Sequence, residues 1–216
     1  MGNLAITGMF LFLGGLFISF YYLQKRHSLQ KINRLMQHLA SAFDLEYHAR
    51  PFAGWNQRIN YSDVSGDING RVVHSYIESA NKASITKGGK PTDYFCIEMD
   101  CDTARLSTFS IQKRAAFAKF AHQVFAHNSS DEVDDLVRAK YVFDAIPSYQ
   151  LDILLNNEVL CEALLEVADL FNGEIHYHLG RVVYREAILE LDEWKVSQMD
   201  QIMQLMLTTA EQLENA

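Results

Sequence analysis

The chain is poor in cysteine and has no cysteine motif: Cys96, Cys101 and Cys161 are its only three, and no two are spaced as a CxxC pair. An odd, unpaired set excludes a disulfide framework and reads as free, mostly buried thiols in a reducing compartment. Basic residues are also scarce, 19 Lys and Arg against 27 Asp and Glu, for a formal charge of -8. So acidic a body offers no cationic face to nucleic-acid phosphates, and no nucleic-acid partner is expected. Signature motifs of catalysis and nucleotide binding are missing as well. There is no GxSxG, and no cysteine stands beside a histidine in sequence. Gly89-Lys90 is followed by Pro91, with no glycine five positions before Gly89, which excludes a Walker loop around Lys82, Lys87 and Lys90. The acidic run Asp131, Glu132, Asp134, Asp135 lacks the glycine and the twelve-residue spacing of a calcium hand. On these grounds no catalytic residue and no cofactor is assigned.

Long hydrophobic runs are absent except for one. Residues 4–23, LAITGMFLFLGGLFISFYYL, hold twenty positions without a charge and end at Gln24-Lys25-Arg26-His27. Twenty helical residues extend about 30 Å, the thickness of a bilayer's hydrocarbon core, so the run predicts an N-terminal transmembrane helix. A cleaved signal peptide would need positive charge before the run and small residues at its exit; residues 1–3 carry no Lys or Arg, and the exit reads Phe20-Tyr21-Tyr22-Leu23. Lys25, Arg26, Lys31 and Arg34 all follow the run, which predicts a single-pass protein of the bacterial inner membrane, amino end outside and body in the cytoplasm. The same four cations are candidates for lipid headgroup contact. Gly8, Gly15 and Ser19 fall on one helix face, where small side chains admit a second helix; such residues are also simply common in membrane helices.

Three parts are expected: a transmembrane anchor over 1–23, a juxtamembrane amphipathic helix over 24–45, and a cytoplasmic domain over 46–216. The middle part rests on Leu29, Ile32, Leu35, Met36, Leu39 and Phe43 at helical period. Residues 46–60, with Pro51, Gly54 and Trp55, read as an extended crossing. Asn69-Gly70 then sits between two alternating runs as a two-residue hairpin turn. Residues 93–102 alternate as a strand, 106–112 form a further strand, and Ala116, Phe117, Phe120, Ala121, Val124 and Phe125 give a helical stripe. Another strand is expected over 136–143, then helices over 148–155 and 157–171, the second stopped at Asn172-Gly173. A second hairpin turns over Gly180-Arg181. Asp192 caps a last helix with Trp194, Met199, Ile202, Met203, Met206, Ala210 and Leu213 on one side. The predicted class is α+β, an N-terminal transmembrane helix followed by a largely antiparallel sheet with helices on one face. Two rounds of strands then helix suggest a duplication, without a residue-level repeat behind it.

The segments SGDINGRVV and GEIHYHLGRVVY, in this order behind an apolar anchor and a basic amphipathic helix, resemble a group of bacterial single-span membrane proteins of unknown function. The resemblance implies a cytoplasmic domain on one membrane helix and brings no catalytic residue with it.

Glu174, His176 and His178 alternate on one strand face, where two imidazoles and a carboxylate could share a metal; the plainer reading is the wet face of a hairpin. Glu98, Asp100 and Asp102 form a similar carboxylate row, able to hold a hard cation or supply an acid and a base, or to be one more solvated face. The expected function is that of a non-enzymatic membrane-anchored interaction protein, an accessory subunit or assembly factor of a membrane complex whose partner is a membrane protein or a second copy. The alternative is a membrane-anchored metal-dependent enzyme or ligand-binding domain using His176, His178, Glu98 or Asp100.

Overall fold

A computed structural model describes residues 2–50, 61–79, 93–103, 108–114, 132–188 and 193–215. It opens with one continuous helix, α1 (Gly2–Phe43), whose side chains are described from Phe12 with the exception of Gln24 and Lys25. The expected transmembrane anchor is not found: among the described residues no helix is long and apolar enough to cross a membrane. The single-pass inner-membrane placement and the N-terminal transmembrane part of the fold class are therefore withdrawn. The second half of α1 is amphipathic as expected, but it belongs to the body: Leu29, Ile32, Leu35, Met36 and Leu39 are buried in the core.

The α+β class with an antiparallel sheet holds. After α1 come β1 (Glu46–His48), β2 (Asp63–Ile68), β3 (Arg71–Glu78), β4 (Tyr94–Asp100) and β5 (Thr108–Lys113). Then follow α2 (Glu132–Lys140), β6 (Tyr141–Ile146), α3 (Tyr149–Leu155), α4 (Glu158–Glu166), β7 (Glu174–His178), β8 (Arg181–Ala187), α5 (Glu193–Val196) and α6 (Met199–Asn215). The described strands form one eight-stranded sheet in the order β1-β2-β3-β4-β8-β7-β5-β6, and each neighbouring pair is antiparallel. Asn69 and Gly70 take φ of 55° and 81°, the paired positive dihedrals of a tight hairpin turn. In the second hairpin the same conformation falls on Leu179 and Gly180, at 50° and 80°, one residue earlier than expected. Placing the turn by residue type fails here because Leu179 is a poor left-handed residue that the strand register nevertheless forces into that conformation.

The two hairpins do share a residue-level repeat. Gly70-Arg71-Val72-Val73 and Gly180-Arg181-Val182-Val183 each open the return strand, and those strands flank β4 so that Val73 and Val182 both pair with Met99. Four residues are too short a signal to stand out before the strands are paired.

The core lies on one face of the sheet. Phe95, Ile97 and Met99 of β4, Val182 and Tyr184 of β8, Phe109 and Ile111 of β5 and Ile175 and Tyr177 of β7 pack against α1, α4 and α6. In α6 the expected stripe is buried, while Trp194, in α5, is half exposed. The strand expected over 136–143 begins as helix α2: the buried pair Val137 and Tyr141 are four apart, and alternation starts only at Tyr141. Asn157 caps α4, its Oδ1 accepting from the Leu160 N–H at 3.1 Å. That helix stops at Glu166, and Gly173 is no left-handed cap. It is a close-approach glycine, where a Cβ would stand 2.4 Å from the Arg185 carbonyl oxygen. The crossing around Pro51, Gly54 and Trp55, the loop with Lys82, Lys87 and Lys90, the stripe from Ala116 to Phe125, Asp131 and the Asp192 cap lie outside the described residues.

Candidate functional site

The opposite face of the sheet carries the polar chemistry, and among the described residues no helix covers it. Strand alternation and register set one row across seven strands: Ser65, His74, Glu98, Val183, His176, Ser110 and Asp144. A second row holds Tyr76, Cys96, Arg185, Glu174, Gln112 and Val142. Both predicted carboxylate sets therefore do lie on this face, and β8 supplies arginines to answer them. Arg181 pairs with Glu98 and stands 3.7 Å from Asp100, while the Tyr76 hydroxyl donates to Glu98 at 3.2 Å. Asp102 is set apart, its N–H donating to Glu214 at 2.9 Å. Arg71 grips the same Glu214 with two guanidinium nitrogens, and those hydrogen bonds hold its carboxyl below the usual range.

Glu174, His176 and His178 occupy alternate positions on β7 as expected, but they are strung along the strand. Among the described residues no three His, Cys, Asp or Glu side chains are gathered closely enough to hold a metal ion. Glu174 accepts from Gln112 at 3.2 Å and lies 3.9 Å from Arg185. Burial holds the His176 imidazole below its usual pKa, reinforced by Arg185 and His178 and opposed by Glu174. Arg185 Nε sits 2.9 Å from Glu78 but is not aligned to hydrogen-bond it, and the guanidinium lies 3.7 Å over the Tyr94 ring. A cleft of about 370 Å³ opens here between Tyr94, Gln112, Gly173, Glu174 and Arg185.

A smaller cleft of about 250 Å³ lies over β2 and β3, between Arg50, Tyr61, Asp63, His74, Tyr76 and Ser79. Asp63 accepts from Arg50 Nε at 3.0 Å and has His74 Nε2 3.4 Å from its other oxygen; the His74 ring stacks on Tyr76 with centroids 4.8 Å apart. Tyr61 donates to Asp93 at 3.1 Å. Sequence reasoning missed this cluster because its members come from separate runs that only pairing of β2 with β3 brings together. Beside it, Ser65 Oγ lies 2.9 Å from His48 Nε2, and His48 Nδ1 lies 3.9 Å from Glu46. The order is that of a nucleophile relay, yet the last gap is too long for a hydrogen bond and Glu46 is 78% exposed, so the imidazole is not oriented.

Within the core, Glu186 accepts from the Tyr184 hydroxyl and from Lys195 Nζ, both at 2.5 Å, with Glu186 1% and Lys195 4% exposed. Burial first, and then Glu186, push the Tyr184 hydroxyl well above its usual pKa. The signal was present in the sequence, since Glu186 follows Val182 and Tyr184 at the buried alternate positions. Cys96, Cys101 and Cys161 are buried and none is in a disulfide, as expected, and burial pushes Cys96 and Cys101 up to about 12, far from nucleophilic thiolates. On α1, a Cβ added at Gly15 would meet nothing within 4 Å among the described residues, and Ser19 is exposed; the surroundings of Gly8 and Lys25 are outside the described side chains. Arg26 is exposed, whereas Lys31 and Arg34 make contacts within the chain.

No family model matches the chain, and no curated protein matches it. Among solved structures, the crystal structure of the mycobacterial trehalose monomycolate transport factor A, TtfA, is similar with a TM-score of 0.50 over 84% of this chain and 94% of that one, at 8% identity. At that identity the likeness is one of fold.

Proposed function

We propose that this chain is a non-enzymatic accessory factor that engages a partner protein through the exposed apolar end of α1. The observation that carries this reading is the concentration of large exposed apolar side chains there: Phe12, Leu13, Leu16, Phe17, Ile18, Phe20, Tyr21 and Leu23, with Phe12 at 68% and Phe17 at 75%. A patch of that kind has a large favourable burial term that the other described residues do not satisfy. The polar face supports a non-catalytic reading, because its carboxylates are already answered by Arg181, Arg185 and Arg50. The fold shared with a protein named as a transport factor fits an accessory role.

The test is purification of the full chain in mild detergent, with identification and stoichiometry of what stays bound. A defined complex with a membrane protein or a second copy is expected, and it should be lost when Phe12, Phe17 and Phe20 are replaced by Ser with circular dichroism of the body unchanged. A lone monomer carrying bound zinc and hydrolytic activity would refute the reading.

A further inference from the structure

We propose that the smaller cleft, between Arg50, Tyr61, Asp63, His74, Tyr76 and Ser79, binds a single neutral sugar ring, a pyranose. Its size limits the ligand: about 250 Å³ is below the roughly 300–1,000 Å³ of pockets for drug-sized molecules, so one ring fills it. Its charge limits the ligand further. Asp63 is matched by Arg50 at 3.0 Å, which leaves no unbalanced charge to select an ion. The phenols set the hydrogen-bond pattern. The Tyr61 O–H donates to Asp93 and the Tyr76 O–H donates to Glu98, so both phenolic oxygens are left as acceptors. Arg50 retains guanidinium N–H groups beyond the one given to Asp63, the Ser79 hydroxyl both donates and accepts, and His74 has a second ring nitrogen beyond the one facing Asp63. A wall that mixes acceptors, donors and aromatic carbon suits a ligand whose hydroxyls both donate and accept and whose C–H faces are apolar. An anion would meet Asp63, and an ammonium would meet Arg50.

This inference does not depend on the apolar end of α1. It is tested by amide NMR of the full chain in a detergent without a sugar headgroup, titrated separately with glucose, galactose, mannose, their methyl glycosides, sodium sulfate and ethylamine. For at least one sugar, saturable shifts are expected around Tyr61, Asp63, His74 and Tyr76. Binding of the free hexose points to a free sugar as the natural ligand, and binding of the methyl glycoside alone points to the terminal sugar of a larger glycoconjugate. Asp63→Asn and Arg50→Gln should each weaken that binding about tenfold, the loss of one charge-assisted hydrogen bond, with shifts elsewhere in the spectrum unchanged. No saturable shift with any sugar up to roughly 50 mM, well above millimolar affinity, would overturn the proposal. So would saturation by sulfate or ethylamine instead, or sugar binding indifferent to both substitutions.

Discussion

Lys195→Met is the sharpest test of how the core is held. Met keeps the length and apolar stem of Lys195 but removes the ammonium that stands 2.5 Å from Glu186. Among the described residues Glu186 then keeps only the Tyr184 hydroxyl, on its other oxygen, with almost no access to water. Removing one partner of a buried ion pair costs about 3–5 kcal/mol, because the remaining charge is left uncompensated. Against a typical stability of about 5–15 kcal/mol this is a large fraction, and for a chain of this length it lowers Tm by roughly 6–20 °C. The double variant Glu186→Leu with Lys195→Met removes both charges and should recover at least half of the loss. Urea denaturation followed by tryptophan fluorescence and by far-ultraviolet circular dichroism gives both values, provided the two probes coincide. If Lys195→Met alone stayed within about 1 kcal/mol of the parent, the burial of this pair as described would be wrong.

Three further outcomes follow from single positions. Leu179→Asn should stabilise the protein by about 1 kcal/mol, since Asn tolerates the left-handed φ of 50° that Leu179 adopts at an 83% exposed tip; a fall in Tm would contradict the turn. Gly173→Ala should destabilise by about 1–3 kcal/mol, its Cβ meeting the Arg185 carbonyl oxygen at 2.4 Å and the Tyr184 ring at 2.7 Å; a neutral result in denaturant would rule out that contact. Glu214 has a depressed pKa in the folded state, so its contribution is present above the ordinary carboxylate value near pH 4.3 and is lost as pH falls through the folded value. Arg71→Gln should flatten the fall in stability measured between pH 5 and pH 3, and an unchanged slope would discount the Arg71 clamp.

Local periodicity carried most of the body. Ile32, Leu35, Met36 and Leu39, the Asn69-Gly70 turn, the alternation of β4 and the stripe of α6 all form where spacing places them, because each signal needs only its own neighbours. What failed needed partners. Residues 4–23 read as a membrane span from their length and lack of charge, and the run on into a helix to Phe43 was legible too, but among the described residues no helix is long and apolar enough to cross a membrane. The strand expected over 136–143 failed because apolar residues four apart and two apart are confused when the run is short. The candidate site was half legible: alternation put Glu98, Asp100, Glu174, His176 and His178 on one face each, but it could not say that Arg181 and Arg185 would lie between them. The cleft over β2 and β3 was invisible, since its residues gather only through cross-strand register.

The pairing on the polar face also separates the readings of what the protein does. A catalytic carboxylate needs an environment that drives its pKa toward the working pH, and burial without a counter-charge is the usual means. Here the buried carboxylate, Glu186, is on the core side against Lys195, while Glu98, Glu174 and Asp63 are partly open and each stands beside an arginine. Those pairs fix side-chain positions and leave hydrogen-bonding edges without a reactive group at their centre. Such a face offers a neutral polar ligand both donors and acceptors. The apolar end of α1 is the complementary case, rich in burial energy and without a charged side chain from Phe12 to Leu23. If the helix recognises a partner and the sheet a small polar ligand, as proposed, substitutions at Phe17 and at Asp63 should affect the two independently.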